Sequence, residues 1–230
     1  MHALDNVIWN ALTTSQAHFS EGRELARKFP ADVTSLGALL APTHEAYDSL
    51  AGLLRKGVAT GLFLEAPPQV PDGLTVVVTL PLLQMTYENR KRAPLTPALP
   101  GDGLIELTES DVPEMMALAE LTKPGPFGRR TRELGTYLGI RRSGTLVAMA
   151  GERLRLPGFT EVSAVCTHPD HVGHAYAGTL ITALVEQIRN RSEVPFLHVR
   201  EDNTRAIGLY ERLGFRKRLR AHLAVVRRSQ

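Results

Sequence analysis

Residues 168–178 read His168-Pro169-Asp170-His171-Val172-Gly173-His174-Ala175-Tyr176-Ala177-Gly178. Small residues at 173, 175, 177 and 178 let a ligand come close to the backbone. Directly after them Leu180, Ile181, Leu184, Val185 and Ile188 recur at helical spacing. A loop opening a helix in this way exposes amides that have no intrahelical partner and adds the positive end of the helix dipole. That combination suits a pyrophosphate, although packing alone also produces such loops. His168, His171 and His174 recur every three residues and raise the question of a metal. Two of them lie in the loop and no carboxylate or cysteine set completes a site, so no metal is expected.

The elements that must hold this loop can be read around it. Upstream, FTEVSAVCTHP has the composition of a strand, and Pro157-Gly158 marks the turn that enters it. Arg141-Arg142-Ser143-Gly144 marks another turn, between YLGIRR and TLVAMAGERL, giving three consecutive antiparallel strands. Downstream come a helix over 176–189, a strand over 196–199, a helix over 204–213 closed by Gly214, and a last strand over 221–226. Further upstream, a strand over 104–107 precedes a helix beginning at Val112-Pro113. An irregular basic stretch follows, broken by Pro124, Gly125 and Pro126, with a short helical segment near 130–138. Residues 1–60 read as helical, through Leu25, Ala26 and Phe29 and then Tyr47, Leu50, Ala51 and Leu54; the strand-forming runs ATGLFLEA and LTVVVTLPLLQMTY follow. Residues 91–103, rich in proline and basic side chains, form the expected linker between an N-terminal domain at 1–90 and a second domain at 104–230.

Composition bounds the function. The chain has 230 residues, 43% of them hydrophobic and 22% charged, which is ordinary for a folded domain and excludes a disordered or collagen-like chain. A single cysteine, Cys166, excludes an intrachain disulfide framework and fits the cytoplasm. No secretory signal is evident, and the most apolar stretch, 74–83, is too short for a membrane span, so no membrane partner is expected. Residues 189–228 carry eleven basic against four acidic side chains, a charge that attracts a phosphorylated cofactor, nucleic acid or an anionic surface. No aromatic platform or recognition-helix signature accompanies that charge, so a nucleic-acid partner is not expected.

Taken with VREDNTRAIGLYERLGF downstream, the segment THPDHVGHAYAGTL resembles the GCN5-related N-acetyltransferase superfamily, and particularly its branch with an FR47-like C-terminal domain. The resemblance covers roughly 104–226. It implies a mixed α/β fold with a largely antiparallel sheet, and direct acetyl transfer from acetyl-CoA to a primary amine. It also implies that the strand before the loop carries a bulge and pairs with the pantetheine arm through Val165, Cys166 and Thr167. The pyrophosphate would be held by the amides of Gly173, His174, Ala175, Tyr176, Ala177 and Gly178. The family usually places basic or glutamine side chains where Val172 and His174 stand, so fewer cations face the phosphates here. Cys166 then lines the pantetheine channel as a packing residue rather than a nucleophile.

By the same resemblance Asn203 contacts the pantetheine portion, and Tyr210 protonates the departing thiolate. A phenol with pKa near ~10 stays protonated at neutral pH and can do so. The attacking amine must be neutral, which calls for a base or a water chain leading to one. His198 occupies the place at which relatives that acetylate ribosomal-protein N-termini have a glutamate, and imidazole has a suitable pKa. Glu161, one strand earlier, is the second candidate. Basic residues between Thr122 and Arg132 fit a region that shapes the acceptor pocket and would suit a carboxylate-bearing acceptor. The N-terminal part is either a cap over that pocket or a degenerate copy of the same fold. A non-catalytic acyl-CoA-binding or regulatory module, and a transferase using a longer acyl-CoA, are the alternative readings. The acceptor is a small-molecule or peptide amine, and the protein is a monomer or homodimer.

Overall fold

The computed structural model describes residues 2–88 and 103–229. The linker expected at 91–103 therefore lies, apart from Gly103, outside the described residues. Two chain regions build one eight-stranded sheet in the order β3-β10-β4-β9-β8-β7-β6-β5. Its strands are β3 (Ala59–Leu64), β4 (Leu74–Tyr87), β5 (Leu104–Glu106), β6 (Tyr137–Arg142), β7 (Thr145–Leu156), β8 (Phe159–Thr167), β9 (Val194–Arg200) and β10 (Phe215–Arg228). Strands β1 (Ala26–Lys28) and β2 (Gly37–Leu39) form a separate antiparallel pair. The helices are α1 (Val7–Thr13), α2 (His44–Leu53), α3 (Val112–Thr122), α4 (Tyr176–Asn190) and α5 (Thr204–Leu213).

The mixed, largely antiparallel sheet expected from the sequence is what forms. Every neighbouring pair in the large sheet is antiparallel except β8 with β9. That exception follows from connectivity, because β8 reaches β9 through α4, and a crossover helix returns the chain in the same direction. Strands β4 and β10 cross the domain boundary expected at 91–103: β4 is hydrogen-bonded to β10 on one side and to β9 on the other.

Local chemistry explains most boundaries. Gly158, at φ +80°, makes the turn into β8, and Ser143 and Gly144, both at positive φ, make the turn between β6 and β7. Asn203 caps α5 by accepting from the Ala206 amide at 3.1 Å, and Gly214, at φ +106°, ends it. The apolar stripe of α4 is fully buried at Leu180, Ile181, Leu184, Val185 and Ile188. Each such side chain contributes about 1.5–3 kcal/mol by leaving water. With Ile207 and Tyr210 of α5 they cover one face of the sheet through Leu83, Met85, Val162, Leu197 and Val199. The opposite face is covered by α1 with Phe29, Leu36 and Phe196, and by α3 packed on Tyr137, Met149, Ala164 and Cys166.

Two expectations change. Leu25, Ala26 and Phe29 are not helical: Ala26–Lys28 is β1, because three residues at helical spacing do not outweigh pairing with β2. The segment near 130–138 is a four-residue 3-10 turn, Thr131–Leu134, before β6 begins at Tyr137. Gly135 ends that turn and rules out a longer helix.

Candidate active site

Strands β8 and β9 pair over three residues only, Phe159–Glu161 against Val194–Phe196. Beyond Glu161 and Phe196 the two strands continue without pairing to each other and leave a wedge in the sheet. β8 also bulges inside the wedge. Ser163 faces Gly151 and Cys166 faces Met149, so Ala164 and Val165 stand opposite the single residue Ala150, with Ala164 at φ +52°. The bulge turns Val165 toward the α4 face and Ala164 and Cys166 toward α3. Cys166 is buried, and burial pushes its thiol up to about 11.

At the end of β8, Pro169–His171 forms a 3-10 turn and the chain enters α4 through Gly173 (φ +90°) and Ala175 (φ +58°). Ala175 is the N-cap residue and offers no side-chain cap. Among the described residues, none of the amides from Gly173 to Gly178 donates to a backbone carbonyl outside the helix. Val172, Gly173, His174 and Ala175 are exposed. An unsatisfied amide cradle at a 15-residue helix, with no bulky side chain over Gly173, fits a diphosphate. Sequence reasoning missed one neighbour. Arg142, the last residue of β6, donates Nε to the Tyr176 hydroxyl at 2.9 Å, and its guanidinium lies over the Tyr176 ring. His174 stacks on the same ring at 5.3 Å. The three histidines do not converge on a common centre: His168 Nδ1 accepts from the Asp170 amide, and His174 Nδ1 lies 3.2 Å from the His171 carbonyl.

Asn203 and Tyr210 lie at the other wall. Asn203 spends its side-chain oxygen on the cap, so only its Nδ2 is left to donate to a ligand. Tyr210 is 9% exposed and packs edge-on to Phe215. Its hydroxyl has no hydrogen-bond partner among the described residues, and burial pushes it up to about 12.

His198 and Glu161 face the opposite side of the sheet from Tyr210. In β9, Leu197 and Val199 belong to the cluster under α4 and α5, so alternation points His198 the other way. Glu161, at 0% exposure, accepts from His198 Nδ1 at 2.7 Å and from Arg153 twice, Nε to Oε2 at 2.8 Å and Nη2 to Oε1 at 2.7 Å. Burial alone would raise the Glu161 carboxyl, but the charge and hydrogen bonds of Arg153, with the bond from His198, outweigh it and hold it at about 2. A carboxylate this buried and this acidic orients its neighbours. It does not suit the second role considered for Glu161, receiving a proton from an amine.

On the other side of the ring, His198 Nε2 lies 3.1 Å from Nε2 of Gln84 in β4. Phe63 of β3 packs on the imidazole with centroids 4.4 Å apart. Arg153 and Gln84 escaped the sequence reading. The available signal was a charged or amide residue inside an otherwise apolar strand, as in MAGERL and LLQM, because a strand buried on both faces carries such a group only when it is paired. Elsewhere, Arg129, Arg130 and Arg132 line a cavity of about 670 Å³ together with Glu109, Glu133 and Val112, Pro113 and Met116 of α3, Arg130 being paired with Glu133. No described helix is long and apolar enough to cross a membrane.

Known proteins agree with this architecture. Residues 137–224 match the model of the family described as FR47-like protein. The chain is 37% identical over 101 residues to N-alpha-acetyltransferase RimI of Mycobacterium tuberculosis, a match spanning 41% of this chain and 63% of that relative's length. A crystal structure assigned to the GNAT family of acetyltransferases, from Novosphingobium aromaticivorans, is 37% identical, with a TM-score of 0.91 and complete coverage of both chains. A GCN5-related N-acetyltransferase from Kribbella flavida shares the fold at 17% identity, with a TM-score of 0.61 over 95% of this chain and 92% of that one. At 37% identity over the whole of both chains, the likeness to a structure of that group shows that the protein belongs to the GCN5-related N-acetyltransferase (GNAT) family.

Proposed function

We propose that the protein is an N-acetyltransferase that moves the acetyl group of acetyl-CoA directly to a primary amine. What supports this most is the wedge between β8 and β9, which has a buried phenol on one face of the sheet and a histidine–carboxylate pair on the other. When bound, acetyl-CoA supplies an activated thioester. The amides of Gly173, His174, Ala175, Tyr176, Ala177 and Gly178 hold its diphosphate, and Arg142 beside Tyr176 adds a cation that the loop itself lacks at 172. The bulged backbone at Val165, Cys166 and Thr167 and the Nδ2 of Asn203 hold the pantetheine arm.

The chemistry divides between the two faces. Tyr210, protonated well above neutral pH, donates its proton to the leaving thiolate. His198 receives the proton of the amine at Nε2, and Glu161, through Nδ1, stabilises the imidazolium that results. A cytoplasmic setting is part of this reading, and a free, buried Cys166 is what a reducing cytoplasm permits.

The test is thiol release from acetyl-CoA by purified protein against a panel of amines: amino acids, polyamines, aminoglycosides and peptides with free N-termini. Acceptors with a carboxylate belong in the panel because of Arg129 and Arg132. Release with one acceptor class, together with a thermal shift on adding CoA, supports the reading. A thermal shift without release from any acceptor points to a binding module instead, and the absence of both effects overturns the proposal.

A further inference from the structure

The histidine–carboxylate pair is one end of a longer chain of polar side chains, and every hydrogen bond in it has a fixed direction. At one end Arg153 and Glu161 are both buried, and the Glu161 carboxylate only accepts. His198 must therefore carry a hydrogen on Nδ1 to fill the 2.7 Å contact with Oε1. At the other end, Arg218 of β10 donates Nη1 to Gln84 Oε1 at 2.6 Å and Nη2 to Asp5 of the N-terminal segment. Arginine has no acceptor, so the atom of Gln84 that meets it is the oxygen.

The Leu4 carbonyl fixes the amide from a second direction. It accepts from Gln84 Nε2 at 3.0 Å, and turning the amide over would set oxygen against oxygen there and nitrogen against guanidinium at Arg218. Gln84 consequently presents an N–H to His198 Nε2, and that ring nitrogen holds a lone pair. The two aromatic rings against the imidazole, Phe63 of β3 and Phe196 of β9, carry no titratable group. Only 3% of the His198 side chain is exposed, so water does not compete for either nitrogen.

We propose that Gln84, clamped by Arg218 and the Leu4 carbonyl, is a positioning residue that fixes His198 as the neutral tautomer protonated at Nδ1, with an unprotonated Nε2. The N-terminal segment is thereby part of the site, since Leu4 and Asp5 hold the clamp. A hydrogen on Nε2 would point at the amide hydrogen of Gln84. The catalytic meaning of the clamp rests on His198 being the proton acceptor; the tautomer itself does not.

Nitrogen-15 correlation spectra of histidine-labelled protein at pH 7 test this directly, with His198→Gln identifying the signal. The expected result is one protonated nitrogen, Nδ1, and one bare nitrogen, Nε2. Gln84→Glu places a carboxylate beside Nε2 and is expected to give the doubly protonated ring at pH 7. It also raises the pH at which acetyl transfer reaches half its maximum by about one unit or more. Gln84→Met, close in volume but without a donor, is expected to keep the Nδ1 proton and to move the pH profile in the same direction by less. A proton on Nε2 in the unmutated protein, or a Gln84→Glu spectrum like the unmutated one in a variant that unfolds at the same temperature, overturns the proposal. Because the spectra need no turnover, a protein without acetyltransferase activity would still report the tautomer.

Discussion

His198 Nδ1 meets Glu161 Oε1 at 2.7 Å just where β8 and β9 part, Glu161 being in the last parallel pair and His198 two residues beyond it. The contact is possible only because both side chains turn to the same face of the sheet while the strands are still close.

Replacing Glu161 tests that contact. Glu161→Ala leaves the Arg153 guanidinium buried without its partner and is expected to cost about 3–5 kcal/mol. The pH dependence of stability has a definite sign. The carboxyl titrates at about 2 in the folded chain against an ordinary 4.5, so its contribution is complete above about pH 4.5 and is lost as pH falls toward 2. Urea unfolding of the native chain and of Glu161→Gln across pH 2–7 checks this. The difference between them should shrink on acidification.

Tyr210→Phe is expected to leave the fold nearly unchanged, because the lost hydroxyl has no partner among the described residues. It should lower the transfer rate about 10²–10⁴-fold if the phenol is the proton donor. CoA binding measured by calorimetry should persist in the variant. With the phenol raised to about 12, the native enzyme should show no loss of rate from Tyr210 ionisation below about pH 10.

Gly173 and Ala175 both hold positive φ, but only one of them is a glycine. Gly173→Ala meets open space, so its cost is backbone strain of about 1 kcal/mol, seen as weaker CoA binding rather than collapse. Ala175→Gly relieves strain in the same loop. The unfolding temperature of the two variants should move in opposite directions.

Cys166 lies on the bulged strand, with its thiol raised to about 11 by burial. A maleimide or iodoacetamide should label it slowly at pH 7.5 in the folded protein and quickly after unfolding. Cys166→Ala should retain at least a tenth of the activity, as a packing residue would, and a nucleophile would not.

The sequence made legible what rests on local pattern. The loop from His171 to Gly178, the stripe of α4, and Asn203 seven residues before Tyr210 are each written within a few turns of chain. What it hid depends on pairing between distant strands. Gln84 and His198 are 114 residues apart and meet only because β4 lies beside β9, and Arg153 reaches Glu161 only across the β7–β8 ladder. The candidate base was found by its position relative to Asn203. The groups that hold it answer to no local periodicity, because a buried charge in a strand is specified by its partner and not by its neighbours in sequence.

The place of β4 between β9 and β10 also sets how the polypeptide is made. A ribosome finishes β4 more than a hundred residues before either neighbour emerges, so the nascent chain carries a long apolar strand with unfilled backbone bonds until β9 and β10 are synthesised. Residues 103–229 made alone would keep β9 and β10 apart by a strand's width, about 4.8 Å on each side, with two raw edges facing the gap. Supplying residues 2–88 as a separate polypeptide would then be complementation by strand insertion, and solubility of the longer fragment should depend on it.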